Sequence, residues 1–182
     1  NDSPREEKSA TAILVDFYLA SGQVHEAAAM VSDELSRHPI PPVGLPERSS
    51  ERSGDGLSER IFATAMMCAD RLDEAESIYR AALFRVRRSI GSGAPVLYDA
   101  ATLLARRGRV DDAARVWAYA DAFFARTGRH PRFVALLLRD RLLPLLAAER
   151  PAEVLSRLFG GGRQLTDDAA CALAFPVSAP GE

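Results

Sequence analysis

Apolar residues recur three and four positions apart along most of the chain, as in Ile13, Leu14, Phe17 and Tyr18 and again in Ile61, Phe62, Ala65 and Met66. That is the spacing of one face of an α-helix. Sustained period-two alternation is missing, as is an Asn-Gly or Asp-Gly turn between β-branched runs, so strands are not expected. The pattern predicts an all-α chain with helices over 6–20, 24–37, 57–69, 72–88, 95–107, 110–127, 131–148, 151–160 and 166–174.

Composition marks the breaks between these elements. Residues 38–56 carry Pro39, Pro41, Pro42 and Pro46 among serines and glycines, which removes backbone donors and disfavours helix throughout. So long a stretch without a pattern reads either as a disordered loop or as a lid or docking strap. Gly91-Ser92-Gly93, Gly128 and Gly160-Gly161-Gly162 mark shorter breaks, where glycine takes the left-handed conformation that ends helices. Pro144 falls inside the predicted helix 131–148 and is expected to kink it. Residues 176–182 read as a frayed tail.

Three segments resemble one another: Gly22-Gln23-Val24-His25-Glu26-Ala27, Asp70-Arg71-Leu72-Asp73-Glu74-Ala75 and Gly108-Arg109-Val110-Asp111-Asp112-Ala113. Each lies where one helical pattern ends and the next begins. A residue tolerant of the left-handed region closes the first helix, and an apolar residue tucks under the turn. Acidic residues then open the second helix, where its dipole favours them. The alanine that follows allows close approach of the two helices. Twelve positions before it stand Val15, Ala63 and Ala101, and four after it Val31, Tyr79 and Trp117.

With the Pro-rich loop set against the first interval, this spacing resembles the tetratricopeptide repeat family. Glu34 stands where a second small residue belongs, and the terminal proline is matched only at Pro39. The resemblance covers roughly residues 6–127. It implies a right-handed α-α superhelix: a solenoid of three to four helix pairs plus a capping helix, all in one domain over residues 1–182. A degenerate last repeat and cap would occupy 128–175. The first helix of each pair would line a concave groove, at Ala12, Asp16, Arg60, Thr64, Met67, Tyr98, Thr102 and Arg106. Asp16, Thr64 and Thr102 are polar residues within apolar helices, which a merely buried face disfavours. Arg60, Tyr98 and Arg106 combine charge with an amphipathic ring, as binding hot spots do.

The last third carries a second resemblance. Val110-Asp111-Asp112-Ala113-Ala114-Arg115-Val116-Trp117 is followed by a Tyr/Ala/Phe-rich helix and a proline-led helix from Pro131. Gly162-Arg163 then precedes Leu165-Thr166-Asp167-Asp168-Ala169 and a final alanine-rich helix. This order is similar to the C-terminal helical region of large bacterial ATP-dependent transcriptional regulators of the LuxR and AfsR-like type. It implies DNA-binding and nucleotide-binding domains elsewhere in a longer protein. The start at Asn1, directly before a helical pattern, also reads as a piece cut from a longer chain.

Composition excludes more than it assigns. The 182 residues carry 23 basic and 25 acidic side chains, a net charge of -2, so bulk charge does not draw the chain to nucleic acid. The arginines at 85, 87, 88, 106, 107 and 109 cluster near predicted helix ends, where cations offset the dipole and face water. No uncharged apolar run approaches a membrane span. Cys68 and Cys171 stand far apart, which fits free thiols in a reducing compartment. His25, His38 and His130 are isolated from the cysteines and from one another, and no P-loop, HExxH or Gly-x-Ser-x-Gly motif occurs. No metal, cofactor or catalytic role is therefore expected.

The expectation is a cytoplasmic, non-catalytic interaction or sensor domain. Its partner is a protein, a peptide or another domain of its own chain, with the six residues Asp16, Arg60, Thr64, Tyr98, Thr102 and Arg106 facing it. Two alternatives remain open: homodimerisation, through an open end of the array or the Phe123-Phe124 region, and small-molecule sensing in the groove.

Overall fold

The computed structural model of the chain describes residues 4–40 and 56–176, with side chains from Lys8 onward. Most of the Pro-rich stretch 38–56 and the expected tail at 176–182 lie outside the described residues. Among those residues every regular element is a helix: α1 (Pro4–Ala20), α2 (Val24–Arg37), α3 (Leu57–Cys68), α4 (Leu72–Ile90), α5 (Ala94–Arg106), α6 (Val110–Thr127), α7 (Phe133–Glu149), α8 (Ala152–Arg163) and α9 (Asp167–Ala174).

The three self-similar segments form the same turn. Gly22, Asp70 and Gly108 have φ of 80°, 66° and 76°. The next amide donates back to a carbonyl five residues earlier each time: Gln23 to Tyr18 at 2.8 Å, Arg71 to Met66 at 2.9 Å and Arg109 to Leu104 at 2.9 Å. This is the helix-ending arrangement that satisfies orphan carbonyls and reverses the chain at once. Ala27, Ala75 and Ala113 are fully buried just beyond it, as are Val15, Ala63 and Ala101 on the opposing helices. Small side chains at both positions let the paired helices close.

The chain divides into two compact units, residues 1–91 and 92–182. In the first, α1 pairs with α2 and α3 with α4, and α3 packs in turn on both α1 and α2. Val15, Val31, Phe62, Met66, Met67 and Tyr79 are among its fully buried large residues. An ion cluster ties three helices together. Glu59 of α3 is buried and accepts from Lys8 Nζ of α1 at 2.5 Å and from the Arg85 guanidinium of α4. Burial pushes the Glu59 carboxyl up, but the charges and hydrogen bonds of Lys8 and Arg85 outweigh it and hold it below the usual carboxylate range.

In the second unit α5 pairs with α6, and the remaining helices depart from the expected fourth pair. The helices α7 and α8 barely touch; α7 lies on α5, and α8 lies on α6. The reason is at Gly162, expected in a loop but found in the last turn of α8. It is buried against α6, where a β-carbon would fall 2.8 Å from the Arg115 Cα and 2.9 Å from the Ala118 Cβ. The missing side chain lets α8 cross α6 closely, and the ring of Phe159 then packs edge-on to Trp117 at 5.4 Å. Pro144 lies within α7, and the helix continues past it to Glu149.

Both ends of α9 are fastened to the α5–α6 hairpin. Thr166 caps its start by accepting from the Ala169 amide. Asp167 Oδ1 accepts from Ser92 Oγ at 2.9 Å, the Gly93 amide at 2.8 Å and the Tyr119 hydroxyl at 2.6 Å. At its other end Arg109 donates to the Leu173 and Ala174 carbonyls. So α9 runs alongside α5 in the same direction. Burial and the donated bond to Asp167 push the Tyr119 hydroxyl up to about 12.

Candidate functional site

Of the eight positions expected to line a groove, Ala12 and Met67 are buried, and the six expected to face a partner divide between the two units. Asp16, Arg60 and Thr64 fall in the first, and Tyr98, Thr102 and Arg106 in the second. Asp16 is half-buried on α1, while Arg60 and Thr64 are buried in α3. The Thr64 hydroxyl donates to the Arg60 carbonyl at 2.8 Å and so accepts from the Tyr79 hydroxyl at 2.9 Å. A threonine bonded back to its own helix needs no water, and its polarity is thereby reconciled with burial.

Tyr98 is buried on α5, edge-on to Phe124 at 5.4 Å and tilted against Trp117 at 6.3 Å. Burial pushes its hydroxyl above the ordinary tyrosine value, and the charge of Asp121 adds to this. Thr102 is buried too, with an Oγ1 that finds no hydrogen-bond partner among the described residues. Of the six, Arg106 alone is exposed. Phe123 and Phe124 are buried within the second unit, so that pair presents no open dimer surface.

The exposed apolar surface is elsewhere. Ile13, Leu14 and Phe17 of α1 are 69%, 50% and 67% exposed, while Ala12, Val15 and Leu19 of the same helix are buried. Helix α1 is thus apolar on two faces and covered on one. In the repeat register, 48 positions on, Ile13, Leu14 and Phe17 correspond to Ile61, Phe62 and Ala65 of α3. Those three are fully or almost fully buried, because α3 packs on the preceding pair α1–α2. Periodicity alone marks Ile13, Leu14 and Phe17 as helical and does not say whether their face is covered. The signal that distinguishes them is a helix apolar nearly all round, whose second face needs a partner.

Nothing among the described residues gathers three or more metal-ligating side chains. Cys68 and Cys171 are not joined in a disulfide, and Cys171 Sγ lies 3.8 Å from Asp167 Oδ2. An open depression of about 340 Å³ follows α8, lined by Ala152, Leu155, Ser156, Phe159 and Arg163. The glycines beside Arg163 belong to that helix, so their amides serve its ladder and form no anion cradle. No described helix is long and apolar enough to cross a membrane. Comparison of the chain with family models, with curated proteins and with solved structures returned no match.

Proposed function

We propose that the chain is a non-catalytic protein-protein interaction module: a tetratricopeptide-like, right-handed helical solenoid within a larger cytoplasmic bacterial transcriptional regulator. Its partner is a protein, a peptide or another domain of the same chain, and it contacts neither nucleic acid nor membrane directly.

The observation that carries this reading is the uncovered face of α1. Here the outward positions are Ile13, Leu14 and Phe17, and contiguous apolar surface of that kind marks interaction sites. The two helix pairs of the first unit support the repeat reading, since their turns share one geometry. The buried state of Arg60, Thr64 and Tyr98 moves recognition to α1, because a charge reversal at Arg60 would disturb packing before it disturbed a partner.

The test is affinity capture from lysate with the wild-type chain and with Phe17→Glu, a substitution at an exposed position that is expected to leave the circular-dichroism melt unchanged. A protein retained by the wild type and lost by the variant supports the reading. Identical retained sets contradict it.

A further inference from the structure

Among the described helices α9 is the shortest, at eight residues, a length that does not hold a helix together in water unaided. Its buried side chains are Ala170, Cys171 and Ala174, small groups whose burial contributes little. The one large side chain that fixes it, Phe175, is buried just past its end. The helix therefore keeps its place on α5 and α6 largely through the polar bonds at its two ends.

The partners of those bonds stand ready whether or not α9 is there. Three donors converge on Asp167 Oδ1: the Ser92 hydroxyl, the Gly93 amide and the Tyr119 hydroxyl. Ser92, Gly93 and Tyr119 are all buried. Ser92 Oγ is held by the Ala94 amide, which donates to it at 3.1 Å; Gly93 opens α5, and Tyr119 belongs to the buried side of α6. At the other end the Arg109 guanidinium is oriented by its ion pair with Asp112 at 2.8 Å. It donates to the Leu173 and Ala174 carbonyls at 2.5 and 3.1 Å. The hairpin thus reads a two-turn helix by its ends, a carboxylate at the start and open carbonyls at the finish. Buried donors left without an acceptor are costly, so this set calls for another carboxylate whenever Asp167 leaves. We propose that the α5–α6 hairpin is a receptor for a short helix of a partner protein that opens with Asp or Glu, and that α9 fills it as a displaceable internal stand-in.

A fluorescein-labelled peptide of residues 165–176 tests this by fluorescence anisotropy against the 182-residue chain. In Asp167→Ala/Phe175→Ala the resident helix has lost its carboxylate and its ring. The peptide is expected to bind that variant about tenfold or more tightly than the wild type, whose site is filled. A peptide that itself carries Asp167→Ala should bind the same variant about tenfold more weakly, the effect of one charged hydrogen-bonded group. Hydrogen exchange of the wild type needs no variant: the amides of Ala170 to Phe175 are expected to exchange about tenfold or more faster than those of α5 and α6. Exchange of α9 in step with α5 and α6 would make it an integral part of the core and overturn the proposal. So would a folded double variant that binds the peptide no better than the wild type does. Equal binding of the peptides with and without Asp167 would overturn the carboxylate as the group recognised. Phe17→Glu is expected to leave each of these results unchanged, which separates them from the fate of the α1 face.

Discussion

The three consecutive glycines of α8 are chemically identical, yet their replacement by alanine should have opposite effects. A β-carbon at Gly160 or Gly161 meets no atom within 4 Å, so alanine there only removes the conformational freedom that glycine gives the unfolded chain. In a helix interior that is worth about 1 kcal/mol, and in the last turn about half as much. At Gly162 the same methyl group would lie 2.8 Å from the Arg115 Cα and 2.9 Å from the Ala118 Cβ. The first of these is backbone and cannot rotate away, so α8 must lift from α6. Overpacking of this kind costs about 1–3 kcal/mol, which leaves Gly162→Ala about 0.5–2.5 kcal/mol less stable than wild type once the propensity gain is subtracted. Urea unfolding followed by the fluorescence of Trp117 is the suited assay. It is the single tryptophan, and its ring lies 5.4 Å from Phe159 of α8, so it reports the helix contact itself. The expected order of midpoints is Gly161→Ala above wild type above Gly162→Ala. A Gly162→Ala midpoint equal to or above wild type would refute the close crossing.

Three further outcomes follow from the geometry. Glu59→Ala leaves the Lys8 and Arg85 cations without their shared carboxylate and should cost about 3 kcal/mol by denaturant unfolding; because the Glu59 carboxyl is held low, its contribution in the wild type is present above the ordinary carboxylate range and fades as pH falls through the folded value. The Tyr119 hydroxyl titrates at about 12 instead of 10.0, so its contribution is full below pH 10 and is lost as pH rises toward 12; alkaline unfolding of Tyr119→Phe should lack that window. Gly108 has φ of 76° and open space around it, so Gly108→Ala should cost about 1–2 kcal/mol in backbone strain alone, while Gly108→Asn should cost visibly less in the same melt.

Much of the helical layout was legible because two signals coincide: apolar residues at helical spacing, and a turn sequence that recurs at Gly22, Asp70 and Gly108. The end of α8 was not legible, because a glycine triplet reads as a break unless one knows that Gly162 must pass beside Arg115. The arrangement of α7 and α8 on separate helices depends on that same crossing and leaves no local trace. Polarity inside an apolar helix was an ambiguous guide to surface, since Thr64 satisfies its hydroxyl on its own backbone and on Tyr79. The exposed face of α1 was not legible, because Ile13, Leu14 and Phe17 have the same helical spacing as Ile61, Phe62 and Ala65, and only the packing separates the exposed set from the buried one.

That α1 carries an interface is tested most directly by hydroxyl-radical footprinting of the chain in dilute purified form and in concentrated lysate. Phe17 and Phe133 are 67% and 62% exposed, so Phe133 serves as an internal reference of the same chemistry. Oxidation of Phe17 relative to Phe133 is expected to fall severalfold in the lysate, with Ile13 and Leu14 protected alongside it. A Phe17 to Phe133 ratio that stays constant between the two conditions would contradict the assignment of α1 as the recognising surface.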